Sequence, residues 1–139
     1  MNDQPVAIAV AVVEHDGRFL IGRRPDGVAL AGLWEFPGGK VRAAETPQEA
    51  AARECLEETG LAVRIGAAYP EVLHRYEHGL LRLDFFAAAP IDPDQQPAEP
   101  FRWVAREELR DYEFPPANEA LVRQLVGGVS DGELAPDWS

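Results

Sequence analysis

The chain is poor in cysteine, in histidine and in positive charge. Its single cysteine, Cys55, rules out an internal disulfide and is compatible with a reducing compartment. Its three histidines, His15, His74 and His78, have no spacing that suggests a zinc site. No apolar stretch approaches the roughly 18 residues needed to cross a bilayer, and Met1-Asn2-Asp3-Gln4-Pro5 lacks the basic start of a secretory signal. The expectation is a cytoplasmic protein without a membrane segment. Lys and Arg total 13 against 24 Asp and Glu, for a net charge of -11, which disfavours extended DNA or RNA as a partner. A length of 139 residues gives room for one domain, here placed at 1–127, with 128–139 (GVSDGELAPDWS) read as a loose tail.

What the chain does have is a concentration of acid. Between Gly39 and Leu61 five glutamates, Glu45, Glu49, Glu54, Glu57 and Glu58, surround one expected helix. Thr46-Pro47-Gln48-Glu49 forms a capping box, with Thr46 as N-cap and Pro47 in the first helical position, and Gly60 supplies the stop. Ala51, Ala52, Cys55, Leu56 and Thr59 fall on one arc of that helix, and Glu54, Glu57 and Glu58 fall opposite, aimed at a common point. Like charges so placed cost a few tenths of a kcal/mol per pair. A hard divalent cation with oxygen ligands is their natural counter-charge. Upstream, Trp34-Glu35-Phe36-Pro37-Gly38-Gly39-Lys40 carries two successive glycines, which open backbone conformations closed to other residues and let a metal or phosphate approach the main chain.

Alternation at Val6, Ile8, Val10 and Val12 predicts a half-buried strand, turned at Asp16-Gly17 into a return over Arg18–Arg23. Further strands are expected at Trp34 to Phe36, Val63 to Val72, Leu73 to Glu77, Leu80 to Ala88 and Phe101 to Val104, with His78-Gly79 closing a hairpin. The Pro- and Asp-rich stretch 89–100 reads as a surface loop. A helical turn follows near Arg106 to Arg110, and a second helix near Asn118 presents Ala117, Leu121 and Leu125 on one face. Strands interspersed with two main helices suggest an α+β fold, an α/β/α sandwich around a mixed sheet.

Gly39, five residues, Glu45, seven residues, then Arg53-Glu54-Cys55-Leu56-Glu57-Glu58-Thr59-Gly60-Leu61 resembles the signature box of the Nudix hydrolases at every fixed position. Cys55 stands where that family usually has an aliphatic residue, a mild departure because free cysteine packs as a small hydrophobe. Outside the box, Arg23-Arg24, Leu33 to Lys40, Arg102-Trp103-Val104 and Phe114-Pro115-Pro116-Ala117-Asn118-Glu119 are similar to MutT-type nucleoside triphosphate pyrophosphohydrolases. The resemblance runs from about residue 5 to residue 126 and implies the Nudix sandwich more firmly than the strand pattern does.

The resemblance also implies a chemistry. It is Mg²⁺-dependent cleavage of a nucleoside triphosphate to monophosphate and pyrophosphate, sanitising an oxidised purine such as 8-oxo-dGTP, with Mn²⁺ as an alternative ion. Glu54, Glu57, Glu58 and the Gly38 carbonyl would hold the metal, and Arg53 would orient a metal-binding carboxylate. The partner is then a small-molecule triphosphate, with monomer and homodimer both open. Glu45 is either a brace between helix and glycine loop or an exposed acid. Arg23 and Lys40 are candidates for phosphate contact, or solvated charges, and Glu35 joins them on the substrate side. The general base is Glu99, four residues before Trp103, or else Glu54 or Glu57; Pro97 occupies the place where an acid was expected. Asn118 either caps the second helix or reads the base, pairing its amide with the N7–H and O6 of 8-oxoguanine. Phe36 or Trp34 either stacks on that base or packs in the core. Rival readings are a Nudix enzyme for CTP-type or nucleoside diphosphate substrates, and a non-catalytic nucleotide-binding module.

Overall fold

A computed structural model of the chain describes residues 4–77 and 79–127. Eight strands form one mixed sheet: β1 Val6–His15, β2 Arg18–Arg23, β3 Trp34–Glu35, β4 Gly38–Lys40, β5 Val63–Ala68, β6 Val72–Tyr76, β7 Gly79–Pro90 and β8 Arg102–Ala105. Helix α1 spans Pro47–Thr59 and α2 spans Glu119–Val126, with 3₁₀ turns at Arg106–Asp111 and Pro116–Asn118. The main path of the sheet is β3-β2-β1-β7-β5, while β4 pairs with β1, β6 with β7 and β8 with β2. Only β1 and β7 run parallel; the other pairs are antiparallel.

Strand β1 organises both layers. Ala9, Ala11 and Val13 face one side and pack with Ala50, Ala51 and Cys55 of α1. Val10 and Val12 face the other and pack with Phe19, Ile21, Leu121 and Leu125. The pattern at Val6 to Val12 predicts a half-buried strand, yet Ala9 to Val13 are buried on both faces, because α1 and α2 cover the sheet from opposite sides. Small side chains on the α1 face let that helix approach the sheet closely. The result is the expected α/β/α sandwich.

Local signals hold where they are strong. Asp16 and Gly17 both take positive φ, 52° and 74°, the two-residue turn whose twist matches a hairpin. Thr46 accepts from the Glu49 N–H at 3.0 Å while the Glu49 carboxylate accepts from the Thr46 N–H at 2.9 Å, completing the capping box, worth about 1 kcal/mol. Gly60 ends α1 at φ 80°. One position on α1 differs from expectation: Leu56 is 51% exposed, and Ala50 replaces it on the buried arc. β6 and β7 pair antiparallel as expected, but Gly79, expected in the closing turn, is the first residue of β7 and pairs with Tyr76; His78 lies outside the described residues, as do Met1 to Asp3 and residues 128–139. No described helix is long and apolar enough to cross a membrane.

Candidate active site

The site is built where α1 lies across β4. Antiparallel pairing of β4 with β1 spends the backbone groups of alternate residues on β1, as in the Ala11 N–H to Pro37 carbonyl and Val41 N–H to Ala7 carbonyl bonds. Gly38 and Lys40 therefore turn their backbone groups outward, toward the helix. The Gly38 N–H donates to Glu58 Oε1 at 3.1 Å, and the Lys40 carbonyl accepts from Arg53 Nη2 at 3.0 Å. The Gly38 carbonyl, on the same side of its residue, is left facing the acids. Neither glycine is among those with positive φ, so both are needed for space and not for unusual conformation. A Cβ on Gly38 would strike the Ala9 carbonyl and Val10, and one on Gly39 would occupy the place of the Glu54 carboxylate.

Arg53 ties the elements together. Its five N–H groups are matched by five bonds: Nε to Glu45 Oε2 at 2.6 Å, Nη2 to Glu45 Oε1 at 3.1 Å and to the Lys40 carbonyl at 3.0 Å, Nη1 to Glu54 Oε2 at 3.1 Å and to Glu57 Oε1 at 3.2 Å. Glu45 also accepts from the Arg42 N–H at 2.9 Å. It braces the β4–α1 connection onto the helix, the first of the two readings its sequence position allows. Hydrogen bonding from Arg53, then from the Arg42 backbone, holds the Glu45 carboxyl down at about 2. The same pairing raises Arg53 above its ordinary range.

The three helix acids do not behave alike. Glu54 lies over Gly39 with its side chain 18% exposed, whereas Glu57 is 50% exposed and shared between Arg53 and the more distant Arg42, at 3.9 Å. Among the described residues no group of three acidic, His or Cys side chains closes on one point. The expected convergence of Glu54, Glu57 and Glu58 is thus split by Arg53 and Arg42, which draw two of the carboxylates aside. Glu58 is partly buried, and burial is the main cause that pushes its carboxyl up to about 7; the Gly38 N–H opposes this, while Glu35 and Glu54 add to it. Uncompensated negative potential around Glu58, oxygen donors from Glu54 and Glu57, and an outward Gly38 carbonyl together fit a hard divalent cation. Among the described residues no His or Cys joins them.

Other candidate residues are distributed around this centre. Glu35 pairs with Arg24 at 2.7 Å and lies close enough to act electrostatically on Glu58. Arg23, at the end of β2 opposite Trp34, and the Lys40 side chain, on β4 beside α1, are both exposed. Phe36 is 3% exposed and stacks on Phe114 at 5.3 Å, placing its ring in the core layer beneath α2. Trp34 is partly buried, edge-on to Tyr112 at 4.7 Å, with the Arg102 guanidinium 4.8 Å above its ring. Asn118 is 8% exposed and makes no side-chain cap bond to α2, so capping does not explain its burial. Glu99 is exposed on the loop whose Ala98 N–H reaches the Thr59 carbonyl at the end of α1. Sequence reasoning missed Arg24, Arg42 and Arg102 as structural partners of the site. Arg24 stands beside the noted Arg23, but the one-residue alternation of a strand decides which arginine meets Glu35.

Known proteins resemble this chain along most of its length. A family model described as the NUDIX domain matches residues 8–124. The chain is 29% identical over 134 residues to an 8-oxo-dGTP diphosphatase of Haemophilus influenzae, covering 91% of this chain and 95% of that protein. It is also 29% identical over 123 residues to a CTP pyrophosphohydrolase of Escherichia coli, covering 87% and 91%. Among solved structures, one reported for MutT from Aliivibrio salmonicida and Vibrio cholerae superposes with a TM-score of 0.69 at 31% identity, covering 89% of this chain and 98% of that one. With a family model matched over most of its length, this chain belongs to the Nudix hydrolases.

Proposed function

We propose that this enzyme hydrolyses nucleoside triphosphates to monophosphate and pyrophosphate with Mg²⁺ bound, and that it favours an oxidised purine base of the 8-oxoguanine kind. The observation that carries the chemistry is the pairing of Glu58 and Glu54 with Gly38 and Gly39, which brings partly buried carboxylates against a backbone carbonyl that no strand partner uses. Glu54, Glu57, Glu58 and the Gly38 carbonyl would hold the ion, whose bound state offsets phosphate charge and lowers the pKa of water. Glu54 takes the proton from the attacking water. It is the carboxylate fixed from two sides, by Arg53 and by the missing side chain of Gly39, whereas Glu57 is half-exposed and Glu99 stands on an exposed loop. Arg23 and Lys40, exposed cations at the ends of β2 and β4, meet the phosphates, and Glu35, held by Arg24, completes the substrate side.

The base preference rests on Asn118. An amide that is buried without capping its helix has donor and acceptor available for a ligand edge. The N7–H and O6 of 8-oxoguanine complement both, while guanine presents two acceptors and leaves a buried group unmatched. Phe36 and Phe114 stack on each other in the core cluster that also holds Ala117, the residue before Asn118. The relatives named for 8-oxo-dGTP and for CTP mark the two substrate classes to compare. A panel of 8-oxo-dGTP, dGTP, CTP and ADP-ribose with Mg²⁺ tests the assignment: the reading requires the highest kcat/KM for 8-oxo-dGTP with pyrophosphate released, and faster turnover of CTP would replace the base assignment while leaving the chemistry in place.

A further inference from the structure

Strand β6 lies at an outer edge of the sheet, with β7 as its one strand partner among the described residues. Tyr76 and Gly79 pair across an interval of only two residues, so they are a mutually hydrogen-bonded pair, and the alternation of an antiparallel ladder gives His74 and Val72 the same standing. Leu73 and Arg75 therefore turn their backbone N–H and carbonyl groups away from β7, to the open edge. Their side chains share one face, because Val72 packs into the core layer that holds Leu121 and Leu125, and side chains alternate along a strand. On that face Leu73 is 59% exposed, and Arg75 is exposed and makes no ion pair with another described residue. Glu71 completes the row. It is half-exposed with Oε2 toward Arg82 at 3.3 Å, and a carboxylate accepts on two oxygens, so a second cation can join it. An edge with unused backbone groups and an exposed leucine is a template for a further strand.

We propose that β6 pairs with β6 of a second copy, antiparallel about a two-fold axis at Leu73, to give a reversible dimer with one continuous sheet. Self-complementarity names the occupant. An axis at Leu73 sets Leu73 against Leu73 and sets Arg75 of each copy against Glu71 of the other, with the outward backbone groups of Leu73 and Arg75 in register. Neighbouring axes lack this match. At His74, Glu71 would face Glu77; at Arg75, the two arginines would face each other; at Val72, Arg75 would meet Tyr69 and no acid. A run of about five residues from each copy is a small interface, which places the dimer in the transient class. Strand β4, with the glycines beneath the acids, lies on the opposite edge of β1 from β7, so both candidate active sites stay open in the dimer.

Sedimentation velocity of the full chain tests this in about 0.15 M salt, where a screening length of about 8 Å limits repulsion between two copies of net charge -11. The average mass should rise toward that of the dimer with concentration. Arg75→Glu and Glu71→Arg each set like charges across the axis, so each variant alone should self-associate at least about tenfold more weakly. Mixing the two variants brings opposite charges together in both directions, and the mixture should recover the association of the unaltered chain. Both positions are exposed, and circular dichroism of each variant checks that it is folded. A chain that stays monomeric up to about 1 mM would overturn the proposal. So would a dimer that neither substitution weakens, or a mixture that fails to recover. The readout needs no nucleotide, so its failure leaves the proposed reaction untouched.

Discussion

Arg53 and Glu45 meet as a two-pronged pair, Nε and Nη2 donating to the two oxygens of one carboxylate at 2.6 and 3.1 Å, eight residues apart in sequence. The pair anchors one edge of a guanidinium whose remaining bonds orient Glu54 and Glu57. A lysine keeps the charge but has three rotating donors and no fork. Arg53→Lys should therefore lower kcat about 10- to 100-fold, the usual cost of removing a group that orients ligands. Circular dichroism should remain that of the folded chain, and steady-state kinetics at saturating Mg²⁺ gives the comparison.

Because Arg53 holds the Glu45 carboxyl at about 2, below its ordinary value of 4.5, the pair stabilises the folded state only while Glu45 is ionised. The sign is that of a depressed acid. The contribution is complete above about 4.5 and is lost as pH falls toward 2. Thermal melts of the chain and of Glu45→Gln should differ most at neutral pH and converge between those limits. A gap that widens on acidification would contradict the pairing.

Gly39 and Gly60 are needed for different reasons, and alanine separates them. At Gly39 a Cβ would displace the Glu54 carboxylate without demanding an unusual φ, so Gly39→Ala should weaken Mg²⁺ binding at least about tenfold with little change in secondary structure. At Gly60, with φ 80°, alanine meets left-handed strain of roughly 1–2 kcal/mol and should lower the melting temperature while leaving kcat near normal. Calorimetric metal titration and thermal denaturation of both variants check the contrast.

Asn118→Ala removes the amide assigned to the base. If that amide pairs with the oxidised edge, preference for 8-oxo-dGTP over dGTP should fall about tenfold or more, corresponding to roughly 1–3 kcal/mol for an unmade buried bond. The effect should appear in kcat/KM for the oxidised nucleotide and hardly at all for dGTP. Retained preference would remove Asn118 from base reading.

Local chemistry made much of this legible in advance. Thr46, Pro47, Glu49 and Gly60 define α1 because capping depends on residues a few positions apart, and Asp16-Gly17 defines its hairpin for the same reason. Long-range packing was less visible. Helices α1 and α2 cover opposite faces of β1, and nothing in the alternation at Val6 to Val12 announces a second cover. Helical periodicity placed Leu56 on the buried arc, where the tilt of α1 across β4 puts Ala50 instead. The spacing of Glu54, Glu57 and Glu58 promised a shared focus, but periodicity is silent about competing cations, and Arg53 and Arg42 decide where two of those carboxylates point. Gly38 and Gly39 were legible as important, though for flexibility; the sheet shows that what matters is the volume they leave empty.

The most direct test of the central claim is ³¹P NMR of 8-oxo-dGTP turnover by the full chain, with and without Mg²⁺. The account predicts equal growth of nucleoside monophosphate and pyrophosphate signals, abolished by chelation and reduced by orders of magnitude in Glu57→Gln. Release of orthophosphate with the diphosphate, or turnover that persists undiminished after the metal is removed, would contradict it.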